Sequence, residues 1–129
     1  MANVPNELRY TSDHEYVRAS GDAGVYLIGI TDYAQGELGD VVFVNLPKPG
    51  EKVASHATFG TIEAVKAVAD LFAPIAGEVL EVNAALDADP AVVNRDPYGE
   101  GWMIKLKADS PAEFDGLLTA DAYRTHIGG

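Results

Sequence analysis

The sequence predicts a mostly β domain, a barrel or sandwich, with one short internal helix and a helical tail. Three observations lead there. Several short runs of β-branched and aromatic residues are separated by Gly, Pro and Asp turn signals. Helix punctuation is confined to the segment after Thr31 and to the last twenty residues. No linker, low-complexity tract or heptad repeat divides the chain, and 129 residues fit one domain, 1–129.

Taken in order, "VYLIGI" (Val25 to Ile30) reads as a buried strand, and Thr31 is placed to cap a helix "DYAQGEL" that Gly39 stops. "DVVFVNLPKPG" follows as strand and turn. Strict alternation puts Val42, Val44 and Leu46 on one face and Val41, Phe43 and Asn45 on the other, until Pro47, Pro49 and Gly50 end the pairing. "GEVLEVN" (Gly77 to Asn83) echoes "GDVVFVN" (Gly39 to Asn45), so half of the fold is a candidate repeat of the other half; chance recurrence of V-x-V in a sheet protein explains it equally well. "GWMIKLKA" alternates Trp102, Ile104 and Leu106 against Met103, Lys105 and Lys107, a strand with one wet face. Ser110, Pro111 and Glu113 have the spacing of a capping box. A last helical stretch, "LTADAYRTHI", runs into Gly128 and Gly129.

Composition excludes several classes. Hydrophobic residues at 47% and charged ones at 22% are ordinary globular usage, so the chain is expected to fold. Without cysteine there is no disulfide, thiolate nucleophile or zinc ribbon. The start "MANVPNELRY" lacks a basic region followed by an apolar run, and no stretch is long enough to span a bilayer, so a soluble, cytoplasmic protein of bacterial type is expected. Twenty acidic against nine basic residues give a net charge of −11, which argues against nucleic acid and favours partners with basic docking surfaces, or serves solubility alone.

Independent catalysis finds little support. His14, His56 and His126 stand singly, without metal-ligand spacing, and read as surface or packing residues. "SDHE" (Ser12 to Glu15) holds triad residue types in adjacent positions, whereas a triad gathers its groups from separate parts of a fold. "DAD" (Asp87 to Asp89) lacks the Gly and Glu of a calcium loop and reads as a solvated turn before Pro90.

One of the five lysines, Lys66, sits among Ala64, Val65, Ala67, Val68 and Ala69, with Glu63 before it and Asp70 after. Lysine is almost never buried unpaired, so this amine is expected to be wet or modified. An ordinary exposed lysine snorkelling over its neighbours meets the same condition. Ala64 to Ala67 also lacks the Gly or Asn of a tight hairpin turn.

"GTIEAVKAVADLFAPIAGEVLEVN" resembles the lipoyl-attachment segment of the glycine cleavage system H protein family. The likeness continues through "YTSDHEYV", "GITDYAQGELGDVVFVNLPKPGEKV", "VNRDPYGEGWMIKLK" and "LLTADAY", covering Leu8 to Tyr123. The resemblance implies a lipoyl/biotinyl-type barrel-sandwich hybrid with a short internal helix and C-terminal helices (about 110–127). It also implies lipoic acid joined by an amide to Lys66, with Glu63, Val65 and Ala67 presenting that lysine to a lipoate ligase or lipoyl transferase. His14, Glu15 and Asp70 would line a cleft for the arm. Ala64 stands where many members have serine, and Asp13 at a variable position.

The implied role is a non-catalytic carrier. It would shuttle the aminomethyl group of glycine between a PLP-dependent glycine decarboxylase, a tetrahydrofolate-dependent aminomethyltransferase and dihydrolipoyl dehydrogenase, with neither nucleic acid nor membrane as partner. Alternatives are a lipoyl-relay H-like protein, a biotin carrier, an unmodified β-sandwich interaction module and an independent enzyme. The biotin reading is weakened because that family typically has methionine on both sides of its lysine, where this chain has valine and alanine.

Overall fold

A computed structural model describes residues 3–128, so Met1, Ala2 and Gly129, on which part of the reading of both termini rests, lie outside the described residues. Nine strands are found among the described residues: β1 (Arg9–Tyr10), β2 (Glu15–Ala19), β3 (Val25–Ile30), β4 (Val41–Asn45), β5 (Lys52–Val53), β6 (Thr58–Ala64), β7 (Val68–Phe72), β8 (Gly77–Val82) and β9 (Ile104–Ala108). One sheet has the order β1-β2-β3-β9-β8-β5 and the other β4-β6-β7. Val17, Ile28 and Leu106 from the larger sheet and Val44, Ile62 and Leu71 from the smaller share one buried cluster. The predicted mostly β sandwich is thus what the chain forms, with neither sheet closed into a barrel.

The helix α1 (Asp32–Leu38) has the limits that its punctuation predicts. Thr31 accepts from the Ala34 amide at 3.2 Å, and Gly39 ends the helix at φ 80°, a left-handed conformation that costs other residues energy. Thr119 caps α4 (Ala120–His126) in the same way, through the Ala122 amide.

β4 departs from strict alternation. Val41 pairs with Ala64 but Phe43 with Glu63, so Val42 is an extra, bulged residue. The bulge turns Val41 and Val44 inward and leaves Val42 and Phe43 exposed, in place of the predicted split between 42/44/46 and 41/43/45. In β8, Val79 pairs with Leu106 and Glu81 with Lys105, which makes Leu80 the extra residue. Val42 and Leu80 occupy the same place in the "GDVVFVN"/"GEVLEVN" echo, so the two segments share a backbone irregularity as well as residues.

Three further expectations are corrected. β9 starts at Ile104, so Met103 lies in the preceding loop with its side chain fully buried, and the alternation is real only from Ile104 onward. Ser110 makes no side-chain cap to the 3-10 helix Pro111–Gly116; Glu113 instead accepts from the Ala76 amide at 3.3 Å, tying that helix to the start of β8. Asp87 lies in the helix α2 (Ala85–Ala88) rather than a turn, because Leu86 is fully buried and pulls the segment onto the core. A second short helix, α3 (Val92–Arg95), follows and was not foreseen.

The two threonine caps differ in burial. Thr31 is fully buried and also shares a 2.7 Å hydrogen bond with the Tyr123 hydroxyl, whereas Thr119 is exposed. Replacing Thr31 by Ala loses the cap and removes one of the two partners of the buried Tyr123 hydroxyl, leaving His14, so Thr31→Ala costs about 2 kcal/mol and Thr119→Ala about 1 kcal/mol. Urea denaturation checks the ordering, and equal losses would contradict it.

Candidate functional site

Lys66 lies at the tip of the hairpin formed by β6 and β7. Both central residues of the turn, Val65 and Lys66, have negative φ, so this is not the glycine-dependent turn that usually closes a two-residue hairpin. Within the turn the Ala64 amide donates to the Ala67 carbonyl at 2.8 Å. The next amide, Val65, leaves the hairpin altogether and donates to the Asp40 carbonyl at 3.0 Å. The tip therefore rests on the junction between α1 and β4. Gly39 completes the support: a Cβ there would come within 3.2 Å of the Lys66 side chain, so the methylene stem runs over a bare α-carbon.

The sequence-predicted presenting residues are where the hairpin puts them. Glu63, Val65, Lys66 and Ala67 are all exposed, Val65 at 73%. Among the described residues Lys66 has no ion pair, so neither Glu63 nor Asp70 neutralises it. Register places Phe43, Glu63 and Val68 in one row across the small sheet. With Val42 and Val65 they form an exposed apolar collar around the acid beside the lysine. Phe43 and Val42 escaped sequence reasoning because alternation alone does not reveal the bulge that exposes both.

Beside the hairpin is a cavity of about 350 Å³. His14, Glu15 and Asp70, predicted for a cleft, all line it, joined by Asp13, by Tyr33, Glu37 and Leu38 of α1, and by Ile62 and Leu71 of the hairpin. Because β7 is an edge strand, alternate backbone groups have no strand partner. One of these, the Phe72 amide, donates to Glu15 Oε2 at 3.2 Å. Asp70 is exposed, while Ile62 and Leu71 make an apolar floor.

Glu15 is not a solvated loop carboxylate. It is 2% exposed, and Thr11 Oγ1 donates to its Oε1 at 3.0 Å. Burial pushes its carboxyl up to about 8, against the opposing bonds from Phe72 and Thr11. Both Glu15 oxygens act as acceptors, and its carboxyl holds a proton to higher pH than an ordinary glutamate.

His14 sits at φ 69° in the turn before β2, and its Nδ1 is 2.9 Å from the Tyr123 hydroxyl. Its ring lies against Tyr33 at 5.0 Å and His126 at 5.5 Å between centroids. Burial lowers its basicity first and His126 second, while Asp13 and Glu37 act the other way. His14 is thus a packed ring, His126 meets it from an exposed position despite their distance in sequence, and His56 is an exposed residue at φ 68°. No cluster of His, Cys, Asp and Glu able to hold a metal occurs among the described residues, and no helix there is long and apolar enough to cross a membrane.

The Glu15 carboxyl is ordinary in the unfolded chain and raised in the folded one, so folding takes up a proton. Its contribution to stability is complete below about pH 4.5 and is lost as pH rises through about 8. Glu15→Gln keeps the shape and cannot ionise, so its urea midpoint should fall less than that of the wild type between pH 5 and 9. Parallel profiles for the two proteins would refute the assignment.

A family model described as glycine cleavage H-protein matches residues 8–128. A glycine cleavage system H protein of Chlorobium limicola is 57% identical over 126 residues, 98% of this chain and 98% of the relative. That of Bacteroides thetaiotaomicron is 51% identical over 127 residues, 98% and 99% of the two chains. The crystal structure of a glycine cleavage system H protein from Mycobacterium marinum aligns with TM-score 0.88 at 40% identity, covering 98% of this chain and 100% of that one.

Proposed function

The chain belongs to the glycine cleavage H-protein family, and from this premise we propose that it is a single-domain, cytosolic lipoyl carrier whose attachment residue is Lys66. The observation that carries the assignment is the position of that amine: exposed at a hairpin tip, without an ion pair among the described residues, and on the same hairpin whose β7 strand lines the cavity. Carriage in the glycine cleavage system follows from the family.

The residues present fit a lipoyl group. From Lys66 to Asp70 is four residues, about 13 Å of strand at the usual rise, a span that an extended lysine side chain acylated by an eight-carbon acid matches. Ile62, Leu38 and Leu71 supply apolar surface for such a chain, and the cavity volume of about 350 Å³ suits a thin arm. When bound, the group supplies a dithiolane that accepts and gives up the aminomethyl unit at the active sites of partner enzymes.

What the chain itself does is present and shelter. Glu63, Val65 and Ala67, with the collar of Val42, Phe43 and Val68, face the ligase that acylates Lys66. Partners then meet the same projecting tip, where tethering raises local concentration without requiring a tight complex. At the cavity, Glu15 and Asp70 receive an amine. A neutral Glu15 costs little to keep buried; arrival of an ammonium favours its carboxylate and creates a charge-assisted hydrogen bond only when the cation is present. The role of His14 is to wall the cavity as a packed, weakly basic ring.

The decarboxylase, aminomethyltransferase and dihydrolipoyl dehydrogenase are the proposed partners, and the net charge of −11 favours encounter with basic surfaces at low salt. Intact mass after expression with lipoate and its ligase tests the attachment: a lipoyl increment is expected, and Lys66→Arg should abolish it. An increment that survives that change, or a biotinyl one, defeats the assignment. The lipoylated chain should also stimulate release of labelled carbon dioxide from glycine by the three partner enzymes; acylation without stimulation favours lipoyl relay.

A further inference from the structure

The support beneath Lys66 is itself clamped by a residue far away in sequence. The side chain of Asn94, on α3, commits its oxygen and both of its N–H donors to one short stretch of backbone and to α1. Its Oδ1 accepts from the Val41 amide at 2.8 Å, and its Nδ2 donates to the Gly39 carbonyl and to Gln35 Oε1, both at 2.9 Å. Gly39 and Val41 flank Asp40, whose carbonyl receives the Val65 amide.

Resting on the carrier reading above, we infer that Asn94 is a positioning residue for acylation: by holding Gly39 and Val41 on either side of Asp40, it fixes the tip of the hairpin and hence the direction in which Lys66 projects.

Three features make the clamp necessary. The turn has no residue able to close it by its own backbone conformation, so its orientation depends on the contact with Asp40. Gly39 at φ 80° is free to take other conformations, and the bond to its carbonyl selects this one. Gln35 lies on α1, which walls the cavity with Tyr33, Ala34 and Leu38, so one amide side chain ties the cavity wall to the lysine support. Among the described residues Asn94 makes no hydrogen bond to Lys66 and does not line the cavity. It acts only through the backbone it holds.

The kinetic signature follows. Without the clamp the tip samples orientations in which the lysine is misdirected, and the apparent affinity for the ligase falls with the competent fraction. Once the ligase holds the hairpin, the chemical step is the same. Asn94→Ala is therefore expected to raise the KM of the apo-protein for a lipoate ligase, supplied with lipoate and ATP, about tenfold and to leave kcat within about twofold. Asn94→Asp keeps the acceptor for Val41 and lacks both donors, so it should change KM in the same direction. The Val65 amide should exchange with deuterium about tenfold faster in Asn94→Ala, with Ile62, deeper in the hairpin, unaffected.

Leu106→Ala supplies the control, since Leu106 is fully buried on β9 of the other sheet and its truncation destabilises the fold without touching α3 or the clamp. The proposal is overturned if Leu106→Ala raises KM as much as Asn94→Ala does, or if Val65 exchange and KM are unchanged in Asn94→Ala. A wild-type chain that the ligase does not acylate at Lys66 overturns the carrier reading itself, a result distinct from an acylated wild type whose Asn94→Ala variant behaves identically.

Discussion

The bond from the Val65 amide to the Asp40 carbonyl connects the hairpin tip to the rest of the molecule. A two-residue hairpin usually sets its own geometry through Gly or Asn at positive φ; Val65 and Lys66 do neither, so their orientation comes from outside. That places the chemistry of one lysine under the control of α1, the bulged start of β4 and α3. The lysine stem itself runs over Gly39, where there is no side chain to displace it. A firm base under an exposed amine suits the proposed attachment of a mobile arm.

The cavity shows the same division between a firm frame and an adaptable ligand position. β7 is an edge strand, a feature that proteins commonly cover to avoid unwanted pairing. Here α1 and the start of β2 stand beside that edge and leave a hollow, and the buried carboxyl of Glu15 satisfies one of the unpaired amides. A carboxyl held neutral by burial is an economical way to keep a potential anion next to apolar surface. The adjacent Tyr123 hydroxyl bonds both Thr31 and His14, which brings the C-terminal helix into the frame of the cavity.

How much of this was legible in the chain depends on how local each signal is. Thr31 and Gly39 act within one turn of helix, and they marked its ends where the structure has them; the cap of α4 by Thr119 is equally local, but the sequence reading placed only the helical stretch around it. The exposure of Lys66 was readable because a lone cation among small apolar residues must stay in water or be modified. The bulges at Val42 and Leu80 were not readable, since an added residue changes the facing of a strand only once its partner is known. Ser110 had the spacing of a cap, yet Glu113 found a better use bonding Ala76, thirty-seven residues away.

The order of residues by itself determined the β-rich class, the limits of α1 and the exposure of Lys66, because periodicity, capping and local polarity are properties of neighbours along the chain. Tertiary structure alone decided which way the Lys66 amine projects, that Glu15 is buried with its carboxyl pushed up, and that Asn94 bonds the backbone on which the hairpin tip rests. Each of these depends on groups dozens of residues apart being brought within hydrogen-bonding distance or sealed from water, and only the packed arrangement of the two sheets and the short helices does that.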